Sequence, residues 1–202
     1  MGWLLIFIIA VFLVILFLIN FYRDPQRNIP KGNNIVAPAD GKVIKITTTS
    51  KKIIKNRKGI FGKIWTLTKD IAPECHVISI FMSPLDVHIN RAPIAGKIAS
   101  IRYKKGAFFE AFNFEKSLEN EKNEIVIENK NMKVKVIQIA GFLARRIKCC
   151  VKKNQKVNKG DKIGMITLGS QTILLFPKGV ADLKIKIDDK VRAGQTIIAE
   201  LR

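Results

Sequence analysis

From Trp3 to Ile19 the chain is unbroken apolar sequence, and Phe21 and Tyr22 extend the run past a single Asn20. About 20 such residues have one stable solution, a helix crossing a bilayer, because only a helix satisfies its own backbone there. A cleaved export signal would need a basic start, a shorter apolar core and a small-residue cleavage site. None is present, so residues 1–22 read as a retained membrane anchor. No Lys or Arg precedes the run, whereas Arg23, Arg27 and Lys31 follow it. The positive-inside bias then puts the body of the protein on the cytoplasmic face of the cell membrane, with Phe21 and Tyr22 at the interface.

Asp24-Pro25, Asn28-Ile29-Pro30 and Lys31-Gly32-Asn33-Asn34 make residues 23–34 a linker rich in breakers. Residues 35–202 are long enough for one domain with a real core. Val43–Ile46, Val77–Phe81, Ile125–Ile127, Met132–Ile139 and Leu183–Ile187 are apolar or alternating runs bounded by turn residues, the signature of strands. A soluble helix is expected only over Phe108–Asn123. Ser83-Pro84-Leu85-Asp86 looks like a helix or turn start with a capping serine, projecting Asp86 and His88 from the end of a strand.

Two echoes organise the domain. Ala37-Pro38-Ala39-Asp40-Gly41-Lys42-Val43 returns as Ala92-Pro93-Ile94-Ala95-Gly96-Lys97-Ile98. Lys156-Val157-Asn158-Lys159-Gly160-Asp161-Lys162-Ile163 returns as Lys190-Val191-Arg192-Ala193-Gly194-Gln195-Thr196-Ile197. Each unit is a turn feeding a strand. The expected fold is therefore mainly β: a pseudo-symmetric, duplicated β-sandwich of the biotinyl/lipoyl kind with few short helices, behind one transmembrane helix.

The formal charge of +20 points to an anionic partner, lipid head groups or nucleic acid, although a solvated lysine-rich surface accounts for part of it. Two histidines, His76 and His88, exclude a His-rich metal hydrolase, and three cysteines give neither a disulfide framework nor metal spacing. No metal is expected. Cys149-Cys150 reads as small apolar filling and His76 as a structural residue.

Gly169-Ser170 lies between apolar segments and places a hydroxyl beside a glycine carbonyl. Such a pair is usually a strand-end turn, but a strained peptide and a deprotonated serine would let the chain attack itself. Arg145-Arg146 suits a phosphate, as arginine forks do, or is a solvated turn. Phe108, Phe109, Phe112 and Phe114 offer an apolar wall for acyl chains, with core packing expected for at least two.

Taken together, Ala37–Gly41, Phe81–Pro93, Glu119–Asn123, Ala144–Ile147 and Gly164–Ser170 resemble, in order, the phosphatidylserine decarboxylase family in its short single-anchor form. The resemblance implies a proenzyme that cuts itself between Gly169 and Ser170. It would leave a β chain, residues 1–169, paired with an α chain, residues 170–202, that begins with a covalent pyruvoyl group derived from Ser170. That ketone would engage the substrate amine and act as the electron sink for loss of carbon dioxide. Asp40 and His88 would serve as orienter and base. Longer members carry two histidines three apart here; this chain has His88 and then Arg91, so His88 does both proton jobs or shares them with Asp86. Gln171 replaces a frequent threonine. The substrate implied is an anionic serine phospholipid, ester-linked phosphatidylserine or ether-linked archaetidylserine, bound by Arg91, Arg145 and Arg146. A higher homo-oligomer is also implied.

The rival reading is a non-enzymatic, membrane-tethered biotinyl/lipoyl-like carrier or transport adaptor. A carrier needs a modifiable lysine after methionine, and Met165 is followed by Ile166. An adaptor needs a long heptad hairpin, which the sequence lacks. A nucleic-acid binder lacks helix-turn-helix, zinc or aromatic-basic strand signatures.

Overall fold

The computed structural model describes residues 2–49, 68, 70–107, 112–141, 146–167 and 170–202. Helix α1, Gly2–Phe21, is almost entirely apolar and largely exposed, with Phe21 buried and Phe17 partly buried at its end. It is long and apolar enough to cross a membrane.

The rest is mainly β. The main sheet runs β13 (Lys190–Val191), β2 (Gly41–Thr49), β3 (Cys75–Met82), β11 (Ser170–Pro177), β7 (Lys133–Ile139), β6 (Lys122–Glu128), β5 (Gly96–Lys104) and β9 (Lys156–Val157). Every neighbouring pair is antiparallel. Two three-stranded sheets complete it among the described residues: β1 (Asn34–Val36), β14 (Ile197–Leu201), β12 (Ala181–Leu183); and β4 (Ile89–Arg91), β10 (Lys162–Ile166), β8 (Ile147–Cys149).

Side chains alternate across a strand, so β3, β7 and β11 each serve two clusters. Ile78, Ile80, Met82, Leu174 and Phe176 point to the core shared with Ile35, Ile163, Ile166 and Ile198 of the small sheets. Val77, Ile173, Leu175, Ile137 and Ile139 point the other way, under Phe114 and Leu118.

The echoes occupy matching places in these pairings. Lys42 and Gly41 face Lys190 and Val191, as Lys97 and Gly96 face Lys156 and Val157. Val43 exchanges backbone bonds with Asp188 and Asp189, as Ile98 does with Asn154 and Gln155. Asp188 and Asn154 both take positive φ, 75° and 72°. A Cβ on Gly41 would lie 2.1 Å from the Phe81 carbonyl oxygen, and one on Gly96 2.5 Å from that of Glu128. Both positions demand glycine because a partner strand passes against the backbone.

Several expectations need correction. Of the helix expected over Phe108–Asn123, only α2, Phe114–Ser117, forms among the described residues, and Lys122 and Asn123 belong to β6. The charges crowding its second half are partly strand residues: Lys122 is buried and donates to the Leu118 carbonyl. The alternation in Lys184–Ile187 is not a strand; β12 ends at Leu183 and the chain then turns to reach Asp188. Ser83 does not cap a helix. The Asp86 carboxylate instead accepts from the Ser83 N–H at 2.7 Å, closing a turn. Cys149 and Cys150 are exposed, not core filling, because β8 lies near the surface. Phe112 is exposed and Phe114 buried; Phe108 and Phe109 lie outside the described residues.

The linker is docked rather than loose. Ile29 fills the space over Gly160 and Gly194, where added Cβ atoms would lie 2.3 and 2.9 Å from its Cδ1. Arg27 reaches Asp40 and Gln195.

Candidate active site

His88 immediately precedes β4 and is wholly buried. Its carbonyl accepts from the Ile166 N–H at 3.3 Å, tying it to the end of β10, four residues before Ser170. Its Nδ1 lies 2.9 Å from the backbone carbonyl of Asp86. A ring donating from Nδ1 to that carbonyl keeps its Nε2 lone pair free, and Nε2 is buried with no hydrogen-bond partner among the described residues. Burial pushes the imidazole below its ordinary value and Arg23 adds to this; the Asp86 carbonyl and the charges of Asp86 and Asp40 push it back up. A buried, neutral ring with a free nitrogen has the form of a general base.

The ring is covered from an unexpected side. Phe21, the last residue of α1, lies against it with ring centroids 4.2 Å apart and the planes tilted by 35°. Phe21 is 2% exposed and packs with Val87, Ile89 and Met165. The sequence placed this phenylalanine in an interfacial belt; it instead closes over His88, while Tyr22 stays exposed. Burying such a ring is worth about 1.5–3 kcal/mol.

Ser170 opens β11 opposite Met82 of β3, and its side chain is wholly buried on the core side. Among the described residues its hydroxyl meets the Met82 sulfur, at 3.4 Å, and a thioether is a weak acceptor. Gly169 lies outside the described residues. Beneath Ser170 runs a buried amide chain that sequence reasoning did not find. Asn123 donates to Gln138 at 2.9 Å, Gln138 to Asn90 at 2.8 Å, and Asn90 to Thr172 at 3.1 Å. Asn90 sits inside the Phe81–Pro93 segment, but its role depends on tertiary partners.

Asp40 follows the first turn and faces the same region without touching the imidazole ring. Its carboxylate takes both oxygens to Arg27, at 2.9 and 3.1 Å, and accepts from the Ala193 N–H at 2.8 Å. Arg27 and Asp40 side chains are 6% and 12% exposed. The residue on His88 Nδ1 is thus Asp86, through its backbone, and Asp40 acts on the ring through space. Arg91 is committed to Asp24 and the carbonyls of Gly160 and Pro25. Arg146 is exposed and Arg145 lies outside the described residues. No cluster of metal-ligating side chains occurs among the described residues.

A buried serine at a strand end and a buried imidazole thus lie in one region, linked through Met82 and Asn90, with the end of an apolar helix over the ring. A profile described as phosphatidylserine decarboxylase matches residues 14–199. The chain is 44% identical to a putative archaetidylserine decarboxylase proenzyme of Methanocaldococcus jannaschii over 97% of its own length and 95% of that protein's. It is 42% identical to the phosphatidylserine decarboxylase proenzyme of Chlorobium phaeovibrioides, covering 95% and 79% of the two chains. With that of Pelodictyon phaeoclathratiforme it shares 40%, covering 93% and 80%. The chain belongs to the phosphatidylserine decarboxylase family.

Proposed function

We propose that this chain is a self-processing decarboxylase that converts a serine phospholipid, phosphatidylserine or archaetidylserine, to its ethanolamine counterpart. The observation that carries the reading is the buried His88, with a free Nε2, tied by its backbone to the strand that leads to Ser170. His88 takes the Ser170 proton, and the freed oxygen attacks the Gly169 carbonyl, so the acyl group moves from nitrogen to oxygen as the peptide bond breaks. Elimination across Cα–Cβ then releases Gly169 as a carboxylate, and water displaces ammonia to leave a ketone at residue 170. The Asp86 carbonyl holds the ring's tautomer, and the Asp40 charge favours the imidazolium that forms. Cleavage before Ser170 leaves residues 170–202 attached to residues 1–169, because β11 is hydrogen-bonded to both β3 and β7. Association of several such pairs belongs to the same proposal.

Residue 170 suits a pyruvoyl group. Among the described residues the Ser170 hydroxyl meets a sulfur, so its conversion forfeits little hydrogen bonding to them. Such a group supplies an electron sink when an amine-bearing substrate loses carbon dioxide. His88 then holds the proton for the carbon left behind, shared with Asp86 if one group cannot serve both steps. The apolar helix and the basic residues after it support a membrane-held enzyme with its domain in the cytoplasm. The matched turns support an internal duplication of the biotinyl/lipoyl kind.

The test is carbon dioxide release from carboxyl-labelled serine phospholipid in micelles, with processing followed on denaturing gels. Wild type is expected to shed residues 170–202 and release label, and Ser170→Ala to do neither. A Ser170→Ala chain cut normally would remove the nucleophile from the scheme.

A further inference from the structure

Beside the site an open groove of about 530 Å³ is lined by Arg23, Asp40, Lys42, Asp86, Lys190 and Arg192, among others. Its carboxylates are already engaged: Asp40 by Arg27 and the Ala193 N–H, Asp86 by the Ser83 N–H. Its cations are less so. Lys42 pairs with Asp188 at the exposed rim. Arg23 donates to the carbonyls of Asn20 and Leu85, and among the described residues neither Lys190 nor Arg192 meets an acid. Lys190 also stands directly opposite Lys42 in the strand pairing, a like-charge pair in which, among the described residues, Lys42 alone has a counter-ion, Asp188.

The second copy of the turn gives an internal reference. There Lys156 likewise faces Lys97, but Asn158 stands where the first copy has Arg192. Two further observations place the groove in the reaction. Arg23, Asp40 and Asp86, which line it, are the charges that act on His88. Arg23 follows the end of α1 by two residues, the level at which a bilayer holds its phosphates.

We propose that this groove binds the phosphodiester of the serine lipid, with Lys190, Arg192 and Arg23 as its cationic ligands in place of Arg145 and Arg146. The proposal rests on the decarboxylase reading and adds the head-group site to it. Uncompensated cations converging at phosphate level attract an anion, and charge-assisted hydrogen bonds hold it. With the phosphate fixed there, the serine end of the same head group extends toward His88 and Ser170, and the acyl chains run back along α1. Arg91, tied to Asp24 and two carbonyls, positions the linker instead of the lipid.

Full-length enzyme in neutral detergent micelles tests this. Lys190→Gln and Arg192→Gln should each raise KM for the serine phospholipid about fivefold, leaving kcat within about twofold and self-cleavage intact. The double variant should raise KM by about tenfold or more. Lys97→Gln/Lys156→Gln, which removes the same charge from the second copy, should leave KM unchanged. An unchanged KM in the Lys190/Arg192 double variant, or a rise confined to Arg146→Gln, would overturn the site. A second arm needs no turnover: the uncut Ser170→Ala chain is titrated with dihexanoyl phosphatidylserine, glycerophosphoserine and inorganic phosphate. The lipid and glycerophosphoserine should bind and lose affinity in the groove double variant. Equal binding by inorganic phosphate would overturn the head-group assignment. A wild type that neither cuts itself nor releases carbon dioxide would sink the decarboxylase reading, and this binding arm would still judge the groove.

Discussion

The turn at Ala37–Val43 carries Asp40 where the turn at Ala92–Ile98 carries Ala95. The backbone is otherwise reused closely: the same glycine against a partner carbonyl, the same short strand alongside, the same left-handed residue beyond. Around Asp40 gather Arg27, the Ala193 N–H and, through space, His88. Ala95 is exposed, and its carbonyl accepts from Asn129. Where a repeat keeps its geometry, the departures in side chain mark what one copy does and the other does not. Asp40 for Ala95 and Arg192 for Asn158 both fall on the copy that faces the anchor's end.

Moving residues between the copies breaks or sharpens this comparison. The largest effect is expected for Asp40→Ala, which gives the first turn the second turn's residue. It leaves Arg27 buried without its counter-charge, at about 3–5 kcal/mol in denaturant unfolding. It should also slow self-cleavage by removing a charge that favours the imidazolium, read from the rate at which residues 170–202 appear on gels. Next is Gly41→Ala. Gly41 combines φ of 147° with the closer approach to a partner carbonyl, so it should lose about 2–4 kcal/mol and more than Gly96→Ala does.

A milder change tests the cover over the base. His88 must be neutral to take a proton, and burial lowers its pKa from the ordinary 6.5. Self-cleavage should therefore hold its plateau to somewhat below that pH and fail further into acid. Phe21→Ala lets water reach the ring, so its pKa rises toward 6.5 and the acid limb moves to higher pH. Rates across a pH series check this, and Phe21→Tyr should restore the limb. The smallest effect belongs to Ala95→Asp, an exposed change expected within about 0.5 kcal/mol, with cleavage unaltered.

Much of this was legible without coordinates, for identifiable reasons. The N-terminal helix shows itself because its apolar run is so long, and Val77–Phe81 because a strand buried on both faces is apolar nearly throughout, interrupted here by Ser79. Asp40, His88 and Ser170 stand out in motifs. Phe21 and Arg27 do not, since one is hidden in an apolar run and the other in a linker, and their partners lie far along the chain. Lys184–Ile187 alternates like a strand, but after Lys184 bonds to Ile198 of β14 the chain leaves the ladder and Lys186 is taken into a turn with Asp189. The stretch Phe108–Asn123 misled because its Lys122 is buried with its amine on a carbonyl, which composition reads as a helix surface.

Peptide-bond cleavage at one position underlies the entire account, and the mass of the C-terminal piece tests it most directly. Protein purified from membranes is denatured and the fragment's mass measured. Residues 170–202 should appear with a keto group in place of the serine amine and hydroxyl, and with a terminus that resists Edman sequencing. An intact chain of 202 residues, active on the serine lipid with Ser170 unmodified, would contradict it.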